Sequence, residues 1–86
     1  MKLNKDFLIH NADGESILVP TGGAAFSGIV RGNKTLGAVL ELLKNDTTEA
    51  EIVTAMRDLF DAPEGVVERD VAMTLAELRK IGAIDE

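Results

Sequence analysis

The sequence predicts an α+β fold in which a three-stranded antiparallel sheet is followed by three α-helices. Three features point to it: an Asp13-Gly14 pair between two apolar runs, a change near Asn33 to helical spacing, and successive helical stripes separated by turn and cap signals. With 86 residues the chain has the length of one domain. Such a domain buries roughly 60% of the surface its unfolded chain exposes, which leaves no room for a large internal active site. The apolar share of 45% suits a folded domain, and an aromatic share of only 3% means that aliphatic side chains fill the core.

Phe7-Leu8-Ile9-His10 and Ile17-Leu18-Val19 flank Asp13-Gly14, a pair that tolerates the positive φ of a tight hairpin turn. Strands are expected at about 6 to 12 and 15 to 21. With the turn at Asp13 and Gly14, Ile9 faces Leu18, Phe7 faces Pro20, and Leu8 with Val19 takes the other face. Thr21-Gly22-Gly23-Ala24-Ala25 reads as a loop, and a third strand at about 26 to 31 closes the sheet. Asn33 is suited to cap the helix that follows.

That first helix, at about 34 to 44, places Leu36, Val39, Leu40 and Leu43 on one face. Thr48 with Glu51 fits a capping box for a second helix at about 49 to 60, whose stripe is Ile52, Met56, Leu59 and Phe60. Pro63, tolerated in a first turn, opens a third at about 63 to 81 with a stripe of Val67, Val71, Leu75, Leu78 and Ile81. Gly82 ends that helix in a left-handed cap, and Ala83-Ile84 folds back as an apolar tail.

One margin of the third stripe carries Glu68, Ala72 and Arg79; the other carries Val66, Asp70, Met73 and Glu77. Two readings of the second margin stand. Val66 and Met73 either widen the core face, Met being a common gap filler, or line a groove between the helix and the third strand. A free strand edge beside apolar contacts is what strand-addition recognition of a peptide requires.

The order of elements, Val19-Pro20-Thr21-Gly22, Phe26-Ser27-Gly28-Ile29-Val30, Asn33-Lys34-Thr35 opening a helix, Thr48-Glu49-Ala50-Glu51-Ile52-Val53, and the stretch from Asp70-Val71 to Leu78-Arg79-Lys80-Ile81-Gly82-Ala83-Ile84 resemble the PqqD family over nearly the whole chain. Its members are similar to the small chaperone of pyrroloquinoline quinone biosynthesis and serve as recognition elements for ribosomally made, post-translationally modified peptides. The resemblance implies a winged-helix-like fold. It further implies that the leader segment of a precursor peptide pairs as an added strand on the third strand, packs against the third helix and is delivered to a modifying enzyme, often a radical enzyme using S-adenosylmethionine. The positions so implied are Ser27, Gly28, Ile29, Val30 and Arg31 for backbone pairing, with Val66, Asp70, Met73, Thr74 and Glu77 along the helix wall. No catalytic residue, cofactor or metal is assigned to this chain. An unpaired strand edge can also meet a second copy of itself, so a homodimer stays open.

Other chemistries fit poorly. Gly28 to Thr35 approaches the phosphate-binding pattern G-x-x-x-x-G-K-[ST], but Asn33 stands where the second Gly is needed. His10 is the only imidazole and lies outside any metal-ligand spacing, while no G-x-S-x-G elbow presents a nucleophile. A formal charge of −6 opposes a phosphate backbone, so a winged-helix DNA regulator would need Arg57, Arg69, Arg79 and Lys80 gathered on one face. An acyl carrier protein lacks the N-terminal hairpin and needs a helix-opening Ser. A docking module for another protein ligand is the remaining alternative. Without cysteine, a signal-like N-terminus or an apolar run of about 18 residues, the chain is expected to be cytoplasmic and to bind no membrane.

Overall fold

The computed structural model describes residues 1–23, 28–32, 34–63 and 65–86. In chain order the elements are β1 (Lys2–Leu3), β2 (Phe7–Ala12), β3 (Glu15–Pro20), β4 (Val30–Gly32), α1 (Lys34–Leu42), α2 (Glu49–Leu59), α3 (Val66–Lys80) and β5 (Ile84–Asp85). The sheet β2-β3-β4 is antiparallel throughout and precedes the three helices, which is the expected α+β arrangement.

Asp13 (φ 51°) and Gly14 (φ 76°) both take the left-handed region, the geometry of a two-residue turn whose twist matches its strands. The register follows from it: Phe7 faces Pro20, Leu8 faces Val19 and Ile9 faces Leu18. Phe7 and Leu18 point into the core, and Leu8 stands exposed on the outer face. Against the inner face lies α1, with Leu36, Val39, Leu40 and Leu43 all buried as their spacing predicts. Val67, Val71, Leu75 and Leu78 of α3 and Ile52 and Met56 of α2 complete an aliphatic core. Close contact between α1 and the sheet depends on Gly37, where a Cβ would overlap the buried Ser16 hydroxyl. That hydroxyl donates to Asn11 Oδ1 at 2.9 Å, so the apolar layer holds no orphaned oxygen there.

The caps show the expected logic with one change of partner. Glu51 N–H donates to Thr48 Oγ1 at 3.2 Å, but the Glu51 carboxylate accepts from Thr47 Oγ1 instead of reaching the Thr48 backbone. At the end of α3, Gly82 N–H reaches Arg79 O and Ala83 N–H reaches Leu78 O, the paired bonds of a Schellman motif, with Ala83 fully buried behind it.

Four expectations are corrected. Among the described residues of the expected third strand, Gly28 has φ 143°, a conformation L side chains avoid, Gly28 and Ile29 are unpaired, and the strand is Val30–Gly32. The third helix starts at Val66, not at Pro63, because Gly65 (φ 85°, ψ −18°) is left-handed and cannot lie inside a right-handed helix. Leu59 is 63% exposed. Its stripe-mates centre on Ile52, Val53, Met56 and Phe60, which leaves Leu59 about 70° off that direction at the final turn. The last addition is a two-stranded pair of the termini, Lys2 opposite Asp85 and Leu3 opposite Ile84, which turns the expected apolar tail into a strand. Asn33, named as the first helix cap, and Phe26 and Ser27 of the expected strand lie outside the described residues.

Candidate functional site

β4 is an edge strand. Ser16, Ile17 and Leu18 of β3 pair with Gly32, Arg31 and Val30 on one side, and no strand of the described residues pairs on the other. Unsatisfied edge amides and carbonyls are a template for another extended chain. Behind this edge Gly32 has no side chain because Leu36 occupies the space, and a Cβ there would overlap the Leu36 side chain. Leu36, in the first turn of α1, therefore packs against the Gly32 backbone and narrows the gap between strand and helix.

The gap continues as a groove along α3. Val30, Arg31, Gly32 and Leu36 meet Thr74, Glu77, Leu78 and Ile81 around a concavity of about 220 Å³. Thr35, Leu36, Asp70, Met73 and Thr74 line the next, of about 250 Å³. A third, of about 210 Å³, lies where Thr35 and Asp70 meet Met56, Phe60, Asp61, Val66 and Val67. Shared walls, Leu36 with Thr74 and then Thr35 with Asp70, join the three into one trough running from Ile81 toward Val66.

Helical spacing explains the α3 wall. Val66, Asp70, Met73, Thr74 and Glu77 recur every three or four residues, one step around the helix from the core stripe. Met73 is 61% exposed, which settles that it does not widen the core; its thioether is presented on the trough wall. Val66, Asp70 and Thr74 are half-buried and Glu77 is exposed.

Of the positions named on the sequence, the fold brings Val30, Arg31, Val66, Asp70, Met73, Thr74 and Glu77 to the trough. Gly28 and the 57%-exposed Ile29 precede β4 without pairing to β3. Ser27 lies outside the described residues. Sequence reasoning missed Leu36 and Ile81 as trough residues, since each also fits a core stripe. For Leu36 the only available signal was Gly32 four residues before it, where the missing side chain leaves room for the leucine; for Ile81 the sequence held none.

Among the described residues the trough lining carries carboxylates and hydroxyls but no His, Cys or Lys. His10 is exposed on β2, across from Ile17, and lines none of the three concavities. Among the described residues no group of three or more His, Cys, Asp or Glu could hold a metal ion. The cations a DNA-binding face would need are partly committed elsewhere: Arg57 Nε donates to Glu68 Oε1 at 2.9 Å and Arg79 Nε to Glu86 Oε1 at 2.7 Å. No helix of the described residues is long and apolar enough to cross a membrane.

Residues 15–84 match the family profile of coenzyme PQQ synthesis protein D (PqqD). Among solved structures the chain is similar to TbiB1 in complex with the TbiA(beta) leader peptide, with a TM-score of 0.75 and 21% sequence identity over 99% of this chain and 100% of that one. At that identity the likeness establishes a shared fold. No curated protein matches the chain.

Proposed function

From the premise that the chain belongs to the PqqD family, we propose that it is a non-catalytic peptide-recognition protein that captures the leader segment of a ribosomally made precursor peptide and delivers it to a modifying enzyme. The leader adds as a strand on the open edge of β4, with Ser27, Gly28, Ile29, Val30 and Arg31 as the residues expected to pair with it, and packs its alternate side chains against Val66, Asp70, Met73, Thr74 and Glu77. A radical enzyme using S-adenosylmethionine is the class of delivery partner this reading names.

The carrying observation is the juxtaposition of an edge strand lacking a partner among the described residues with an apolar trough along α3. The leader peptide bound to TbiB1, whose fold is shared, supports the same class of ligand here. Magnitudes favour a modest affinity governed by the trough. Added strand bonds contribute roughly 0.5–1.5 kcal/mol each, and a buried aliphatic anchor roughly 1.5–3 kcal/mol. Association and ordering cost roughly 4–15 kcal/mol. A strand of three residues cannot offset that cost through backbone bonds alone, so anchors in the concavities decide whether the complex forms.

The test is an amide chemical-shift titration with candidate leader peptides and, separately, with duplex DNA at moderate salt. Perturbation concentrated in residues 28–32 and 66–81 on peptide addition is the expected result. A DNA response without a peptide response would reverse the assignment.

A further inference from the structure

The trough is electrostatically one-sided. Among the described residues, the charged groups lining its three concavities are Asp61, Asp70 and Glu77 against a single cation, Arg31. Asp70 has only Arg69 Nε at 3.9 Å, the limit of an ion pair, and that guanidinium belongs to the adjacent residue of the same helix. Neither Glu77 nor Asp61 forms an ion pair among the described residues. The nearby Arg57 is matched by Glu68 and Arg79 by Glu86, so neither is free to neutralise the wall. The chain as a whole carries −6, which attracts a cationic ligand and repels an acidic one.

Resting on the peptide-capture reading, we propose that the captured segment is cationic: it carries Lys or Arg at two positions four residues apart on one face of the extended chain, with an aliphatic side chain midway between them. Asp70 and Glu77 are two turns apart on α3, about 10 Å along the axis at about 1.5 Å per residue. Same-face positions i and i+4 of a strand are about 13 Å apart at about 3.3 Å per residue, within the play of two flexible basic side chains. Between the carboxylates the wall is Leu36, Met73 and Thr74, where the residue at i+2 seats its aliphatic group. Arg31 and Glu77 line the same concavity, and among the described lining residues β4 supplies no cation to the concavities that hold Asp70 and Asp61.

The deciding experiment is selection from a displayed library of random twelve-residue segments on the wild-type protein and on Asp70→Asn/Glu77→Gln, with amide spectra confirming that the variant is folded. Wild type is expected to enrich Lys or Arg at i and i+4 around an aliphatic i+2. Those segments should bind about tenfold tighter than their Gln-substituted versions at low salt, a margin that shrinks as salt is raised. The neutralised variant should keep the aliphatic preference and lose the basic one, and Asp70→Lys/Glu77→Lys should select Asp or Glu instead. Aliphatic segments enriched on wild type without a basic bias, while still perturbing residues 28–32 and 66–81, would overturn the cationic ligand and leave peptide capture standing. Enrichment of nothing by wild type would overturn both.

Discussion

Met73 and Leu75 sit two residues apart on α3 and have opposite placements. Leu75 is fully buried, and Met73 is 61% exposed on the trough wall. Truncating Leu75 to Ala leaves a cavity and should cost about 2–5 kcal/mol in urea unfolding. Met73→Ala should move stability by no more than about 0.5 kcal/mol yet, if the proposed capture holds, weaken peptide binding measurably, since it removes an exposed apolar contact without touching the core. Equal losses of stability in the two variants would mean that Met73 is a core residue after all. The core stripe is legible in the sequence because burial imposes a period of 3.6 on Val67, Val71, Leu75 and Leu78. The duty of Met73 is not legible from spacing alone: an apolar residue one step off the stripe reads equally as extra core or as exposed anchor. Its exposure in the folded chain decides between them.

At the scale of elements, hairpin and helices follow from local chemistry, and two of the departures coincide with glycines. Asp13-Gly14 sets a turn, the turn sets a register, and the register places Phe7 and Leu18 inside. Gly28 and Gly65 stand just before β4 and α3 with φ values that a residue count does not reveal. Thr48 is a cap readable from sequence, and Thr48→Ala should cost about 0.5–2 kcal/mol, checked by thermal or urea unfolding. The edge strand itself is tested by Ile29→Pro. Ile29 precedes β4 and pairs with no residue of β3, so the substitution removes an amide from the docking edge while sparing the sheet. Helix content by circular dichroism should be retained and affinity for leader peptide lost; unchanged affinity would exclude strand addition at that position.

Across the whole molecule, the termini close on each other in a way no local pattern announces. Leu3 and Ile84 pair at a separation of 81 residues, each from a strand of only two residues. Asn4 reinforces the junction, its side-chain amide donating to Asp85 Oδ1 and its backbone N–H to Ala83 O. The Met1 amine donates to Asp46 Oδ1 at 2.8 Å, and that hydrogen bond, helped by the positive charge, holds the Asp46 carboxyl below its ordinary 3.8. A carboxyl lowered in the folded state binds protons more readily when unfolded. Its contribution is therefore complete above the ordinary value and is lost as pH falls through the lowered one. Asp46→Asn should flatten the loss of stability on acidification below about pH 4, where that carboxyl titrates, as followed by unfolding across pH.

The claim on which peptide capture depends is that a foreign strand occupies the open side of β4, and amide hydrogen exchange at Val30, Arg31 and Gly32 reads it directly. With saturating leader peptide, slowed exchange at one or more of these edge amides, with the β2–β3 ladder unchanged, is the predicted outcome. Peptide binding that leaves all three exchanging as in the free protein would contradict it.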